Sequence, residues 1–478
     1  MTDNITVLLP YVKIEDPHLC TDAHALLVIR RLLFPGLLHH DGSHGHGVLA
    51  EKWESSNAGK TWRFILKEGK SFENRDELTA EDVVYSLKRA ADPSVAGQLF
   101  TVTYNEYFGA AEIYTEDRYT VVLKNPYPIA DLEELLPDLP ILPKGWKSYA
   151  DGAGAGWYRL SSHDETSARL ELRDDAPSTK KLPKSFTFHT VADAAERANR
   201  IMQGKAQLAL DPPTEHIDEL IQNPETIVFG WDTSLSVIFF VECQVEPLND
   251  MRVRQALNYA VDTERLISEV AFGHGKPLNG PFSDRHFARD PQLRPYPYDP
   301  QKARELLQQA GVPEDFVLEV HAPTSIPEEG PALARFLANC YQQIGLQAKV
   351  RLHKDRSEYA RKITAKELHG IFCFDSSPLS SFKVLHEKLD SRFGGVWWQG
   401  YHNDEMNALI SQASAADNPT ARQSLYQQAY RILHREAPWV FLYQPRRFWA
   451  VHNSFHITDQ DFNDLGFFNV EYSASAEK

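Results

Sequence analysis

The chain has 478 residues, 42% hydrophobic and 24% charged, which is room for two or three domains with ample cores. Fifty Lys and Arg against 66 Asp and Glu leave a formal net charge of −16. That balance excludes a nucleic-acid partner, because backbone binding needs clustered positive charge; no apolar run reaches the roughly 18 residues of a membrane-spanning helix.

In chain order, ITVLLP (5–10) reads as a strand and DAHALLVIRRLLF (22–34) as a helix, followed by a polar hairpin, HHDGSHGHG (39–47). In residues 49–92, Trp62, Phe64 and Leu66 alternate with Thr61, Arg63, Ile65 and Lys67, the period of a strand with one deeper face. A helix follows. Thr79 suits the N-cap, Asp82 stands three residues on, Val83, Val84, Leu87 and Ala90 recur at helical spacing, and Pro93 closes the run. GAGWYRL (154–160), ARLELR (168–173), SFTFHTV (185–191), ADAAERANRIMQG (192–204) and KAQLAL (205–210) give two strands and then a strand–helix–strand unit. VIFFVEC (237–243) is a continuous apolar run suited to a buried strand. PLNDMRVRQALNYAVDTERLISEVAF (247–272) predicts a loop and two helices, with Asp250 and Asp262 or Thr263 as caps. In YDPQKARELLQQAG (298–311) Asp299 caps, Pro300 takes the first helical position and Gly311 ends the helix. LEVHAP, ALARFLANCYQQIG, QAKVRL and HGIFCF then alternate strand and helix through residue 374.

The stretch 49–92 resembles the signature of the bacterial extracellular solute-binding proteins, family 5, the receptors of oligopeptide, dipeptide and nickel ABC importers. Residues 247–272 and 298–311 are similar to two further motifs of that family. So are GAGWYRL, with Trp157 where Pro is usual, WWQGYHNDEMNALISQA (397–413) and REAPWVFLY (435–443), all in family order. The resemblance implies an α/β fold of the periplasmic-binding-protein type (type II): two lobes joined by a hinge, with an extra β-rich subdomain in lobe 1. The expected division is 1–40, 150–240 and 445–478 for the lobe 1 core, 41–149 for the inserted subdomain, and 241–444 for lobe 2. It implies capture of a peptide or related amine-bearing small molecule between the lobes by hinge closure, by a monomer, with no cofactor and no metal.

The resemblance also implies site residues. In peptide-binding members an Asp after a strand ending in Trp-x-x-Asp pairs with the ligand's α-ammonium; here Asp375 matches, and Phe372 stands in place of the Trp. The alternative is an Asp that caps the turn or helix before SSPLSSF. Trp397 and Trp398 face opposite sides if they lie on a strand, so one is expected to line the site and the other to pack. Trp157, with Tyr158, and Phe239 or Phe240 complete the aromatic candidates. The carboxylate-binding Arg of dipeptide receptors falls near Thr324, in TSIPEEG, where no Arg occurs. That departure turns the expectation from a free dipeptide toward a longer peptide, an amide or a non-peptide ligand.

Other patterns carry less. His39, His40, Asp41, His44 and His46 sit in a Gly-rich turn, where solvated histidines are the expectation rather than a metal site. Gly152, Gly154 and Gly156 lack the spacing and following helix of a phosphate cradle, and no GxSxG, HExxH or Walker pattern occurs, so no catalytic residue is assigned. Cys20, Cys243, Cys340 and Cys373 are widely spaced and read as unpaired thiols. Met1-Thr2-Asp3-Asn4 runs into the first strand without a basic or long apolar leader. Two expectations stand: a periplasmic or extracellular receptor whose signal has been removed, serving an ABC permease, or a cytoplasmic scaffold repurposed as an enzyme or ligand sensor.

Overall fold

A computed structural model describes residues 4–19, 24–40, 45–96, 104–137, 139–149, 154–176, 182–324, 327, 329–376 and 380–455. The chain divides into two compact units. The first runs to Trp231 and resumes at Arg447; the second holds Asp232–Arg446. The sequence reading placed these crossings at 240/241 and 444/445, so the strand Ser236–Val241 falls in the second unit rather than with the residues before it.

In the first unit the strand Asn4–Leu9 pairs in parallel with Ser185–Thr190 on one side and Leu208–Leu210 on the other. The helix Ala194–Met202 connects these two neighbours, which is the parallel strand–helix–strand unit read from the sequence. Its N-cap Asp193 accepts from the Glu196 amide at 2.8 Å. The sheet continues through Ser167–Leu172 to Tyr158–His163, both antiparallel. One face buries Val7, Leu9, Phe186, Phe188, Tyr158 and Trp449. Gly154 and Gly156 lie against the end of the helix His24–Leu33. A Cβ at Gly156 would stand 2.0 Å from the Leu32 carbonyl oxygen, so close packing rather than ligand binding accounts for the glycines.

Between these elements the unit carries an antiparallel sheet in the order Ala50–Ser56, Thr61–Leu66, Thr120–Lys124, Glu112–Thr115. Trp62, Phe64 and Leu66 are buried and the intervening residues half-exposed, as the alternation requires. The helix Ala80–Ala90 begins at Thr79, whose amide and hydroxyl both donate to Asp82, at 2.8 and 3.0 Å.

In the second unit the strand order is Gln347–His353, Val317–Pro323, Ile371–Ser376, Ser236–Val241 and the first half of Trp439–His452. The first three are parallel to one another, and the helices Gly330–Gln343 and Arg356–Thr364 make the crossovers. Asp250, Asp262 and Asp299 cap their helices as expected, accepting from the amides of Arg252, Arg265 and Lys302. Gly311 closes the third of these helices at φ +69. Cys243, Cys340 and Cys373 are unpaired and buried, and Cys20 lies outside the described residues. Among the described residues no helix is long and apolar enough to cross a membrane.

One buried cation ties the first unit's crossover together. Arg197 is fully buried and donates to the carbonyl oxygens of Leu210, Val191, Ala192 and Asp211 at 2.9, 2.7, 3.0 and 2.6 Å. Replacing it with Met keeps much of the volume but strips four carbonyls of a charged donor, each loss costing about 1–3 kcal/mol where water cannot enter. Arg197→Met is therefore expected to lower the Tm by several degrees or to leave the protein insoluble; an unchanged melt by circular dichroism would contradict this role.

Candidate functional site

The parallel strands of the second unit set the geometry. Val317–Pro323, Gln347–His353 and Ile371–Ser376 all end at one sheet edge, and the helix after each begins there. In open α/β sheets that edge is where ligands are held. It brings together Glu329, at the start of the helix after the first strand, Arg356, the first residue of the helix after the second, and Asp375, near the end of the third.

Asp375 lies within its strand rather than after it, paired with Val237, and Val237 pairs in turn with Tyr443. These three therefore share one face of the sheet. The Asp375 side chain is 17% exposed, and the Arg356 Nη2 approaches its Oδ1 at 3.8 Å. That is an ion pair but too long for a hydrogen bond. Among the described residues no donor hydrogen-bonds the Asp375 carboxylate. Nor does Asp375 cap the next helix: Ser380 does, accepting from the Lys383 amide at 3.1 Å. Burial, with the nearby Asp375 and Glu329 carboxylates, pushes the Cys373 thiol well above its ordinary value and leaves it inert.

Glu329 completes the acidic side. Its Oε1 accepts from the Tyr443 hydroxyl at 3.1 Å, and its Oε2 is buried with no hydrogen-bond partner among the described residues. Sequence reasoning did not single out Arg356, Glu329 or Tyr443. The signal was there for the first two, since in a strand–helix–strand run every residue at the strand-to-helix turn lies on the same sheet edge as Asp375. Tyr443 depends on register across the sheet, which no local pattern carries.

The aromatic candidates separate. Phe372 is buried against His321 at 5.6 Å and points to the face opposite Asp375. On that face Phe374, which the sequence reading passed over, packs on Phe240 at 5.2 Å and Trp397 at 4.5 Å, with the Arg356 guanidinium 5.0 Å from its ring centre. Phe239 is fully buried on the Asp375 face. Trp397 and Trp398 lie in a turn, not on a strand. Trp397 is buried, whereas Trp398 is half-buried and donates its indole N–H to the Tyr401 carbonyl at 2.6 Å. The Lys366 ammonium holds this turn by donating to the carbonyls of Val396 and Trp398. Trp157 belongs to the first unit, half-buried against its core. The hairpin pairs Leu38–His40 with Gly45–Gly47, and Asp41 to His44 lie outside the described residues.

A histidine pair buttresses the strands that carry the edge. The His321 Nε2–H donates to the His369 carbonyl at 3.0 Å, so its Nδ1 accepts from the His353 Nε2–H at 2.9 Å. Protonating His321 would put two hydrogens into that contact. Burial first, then His353, holds its pKa well below the ordinary histidine value. Burial likewise lowers His18 and His386 to about 4. Between pH 6.5 and about 4 the unfolded chain thus binds protons that the folded chain refuses. Stability from these groups is full above pH 6.5 and is lost as pH falls toward 4. Thermal melts between pH 7 and 4.5 are expected to show a falling Tm, with a shallower slope in His321→Gln; equal slopes would contradict the assignment.

The chain is similar to known proteins over most of its length. The family model described as bacterial extracellular solute-binding proteins, family 5 Middle, matches residues 46–418. The glutathione-binding proteins GsiB of Shigella dysenteriae and of Escherichia coli strain K12 are each 27% identical over 412 residues, covering 82% of this chain and 79% of the relative. Among solved structures, the periplasmic binding protein DppA from Helicobacter pylori in complex with the peptide STSA superposes with a TM-score of 0.80 at 20% identity, covering 99% of this chain and 98% of that one. AgaA from Agrobacterium tumefaciens R10 in complex with agropinic acid superposes at 0.81 with 19% identity, covering 99% of both chains.

Proposed function

We propose a ligand and a binding residue from one premise: the chain belongs to the bacterial extracellular solute-binding proteins, family 5. Its function is therefore capture of a solute as the receptor of an ABC importer. The relatives are binding proteins, and nothing in their names favours the enzymatic alternative. The ligand in this reading is a short peptide or a related amine-bearing small molecule, glutathione among them, and the receptor works outside the cytoplasmic membrane and delivers it to an ABC permease in that membrane. GsiB is named for binding glutathione, and DppA was solved with the peptide STSA, which supports that class.

The observation that carries the reading is Asp375. A mostly buried carboxylate at the ligand-bearing edge of a parallel sheet, with Arg356 at 3.8 Å and no hydrogen-bond donor among the described residues, supports a ligand donor there. An ammonium supplies one as a short charge-assisted bond. Aromatic Trp397, Trp398, Trp157, Phe239 and Phe372 have the weaker claim, since Trp397, Phe239 and Phe372 are buried in packing.

Asp375→Asn keeps the size and removes the charge. It is expected to weaken an amine-bearing ligand by roughly 2–5 kcal/mol, the usual cost of breaking a desolvated charge pair, while shifting the Tm little. Isothermal titration of both proteins with a library of short peptides and glutathione checks this. Unchanged affinity would remove Asp375 from the site, and no binding by any member would remove the ligand class.

A further inference from the structure

Arg356 stands beside Asp375 at the same sheet edge, and its placement narrows the ligand. The two side chains are 25% and 17% exposed, and their closest nitrogen and oxygen are 3.8 Å apart. The pair is close enough to attract but not joined by a hydrogen bond. The guanidinium plane is steadied by the Phe374 ring, 5.0 Å from its central carbon, and Phe374 is itself fixed between Phe240 and Trp397. The result is an anion and a planar, preorganised cation set side by side where the strands end. An α-amino-acid headgroup has the complementary arrangement. Its ammonium and carboxylate leave the same carbon, so their nitrogen and oxygen atoms lie roughly 3 Å apart by ordinary bond lengths.

We propose that Arg356 is a specificity-determining residue that takes the carboxylate of an α-amino-acid headgroup while Asp375 takes the ammonium of the same carbon. The ligand class is then one with a free amino-acid zwitterion at one end, such as a γ-glutamyl peptide, rather than an α-linked peptide, whose ammonium and carboxylate belong to different residues. The inference rests on the Asp375 reading above. It also gives the chain an arginine for a carboxylate, although none occurs near Thr324. A guanidinium is the natural two-pronged partner of that group. Glu329 fits the same assignment. A carboxylate there, with one buried oxygen lacking a partner among the described residues, disfavours a ligand carboxylate on that side and leaves Arg356 to receive it.

The test compares three probes on the full chain by isothermal titration: γ-glutamylglycine, the same compound with its α-carboxylate converted to the carboxamide, and α-linked Ala-Gly. The wild-type protein is expected to prefer the free acid over its carboxamide by about tenfold or more, and Ala-Gly to bind weakly. In Arg356→Gln that preference should vanish; Arg356→Lys should keep part of it. Circular dichroism melts of both variants establish that they fold, and the Lys variant carries the test if the Gln variant does not. A wild-type protein that binds acid and carboxamide equally, that prefers Ala-Gly, or whose preference survives in Arg356→Gln overturns the proposal and leaves the amine-binding reading standing. Binding of none of the three probes overturns the proposal as well; the peptide-library titration with Asp375→Asn then shows whether the amine-binding reading falls too.

Discussion

Parallel pairing of three strands is the constraint on which the second unit depends. Once Val317–Pro323, Gln347–His353 and Ile371–Ser376 run the same way, each must be followed by a crossover, and every helix start falls on one edge. Helix starts need acceptors for their first amides, and this edge duly carries Asp355 and Ser380 as caps. The same edge gathers the charged side chains of Glu329, Arg356 and Asp375, far apart in sequence. No side chain there has to reach across the sheet; topology alone supplies the grouping.

Packing on the other face makes that edge rigid. Phe374 fills the space between Phe240 and Trp397, and the turn bearing Trp397 is tied down by Lys366. Alternation along one strand thus gives Phe372 and Phe374 to the packed face and Asp375 to the other. A one-residue slip in pairing would exchange them and put a carboxylate into an aromatic core, so register is held by the cost of burying a charge as well as by apolar contact. The buried His321, hydrogen-bonded to the half-buried His353 and to the His369 carbonyl, links two of the parallel strands.

Much of the fold was legible because its signals are local. Alternation in Thr61–Leu66, the caps at Thr79, Asp250, Asp262 and Asp299, and Gly311 as a helix stop are statements about a few adjacent residues, and each appears where the sequence put it. The adjacent tryptophans misled for the opposite reason. The opposite-facing expectation holds for Trp397 and Trp398 on a strand, whereas a turn held by Lys366, 31 and 32 positions before them, sets where each ring points. Phe372 was likewise chosen because it stands in the place of a family Trp, and strand alternation then buries it away from Asp375.

The proposed pairing of Arg356 with Asp375 would supply from one segment a charge that another lacks. TSIPEEG holds no Arg, and the segment by itself argues against a carboxylate on the ligand. Yet affinity for a carboxylate depends on where a guanidinium ends up, not on which loop carries it. The helix that starts at Arg356 is a crossover in the same parallel arrangement, so its first residue lies at the same edge as Glu329, the start of the preceding crossover. On the proposed assignment, an Arg adjacent to Asp375 would select a different ligand from an Arg set farther away. Two opposite charges set far apart suit the two ends of an α-linked peptide, whereas two set 3.8 Å apart suit one carbon that bears both. Specificity in such a receptor is thus a matter of spacing between charges on neighbouring crossovers, and the spacing follows from strand order before any loop is considered.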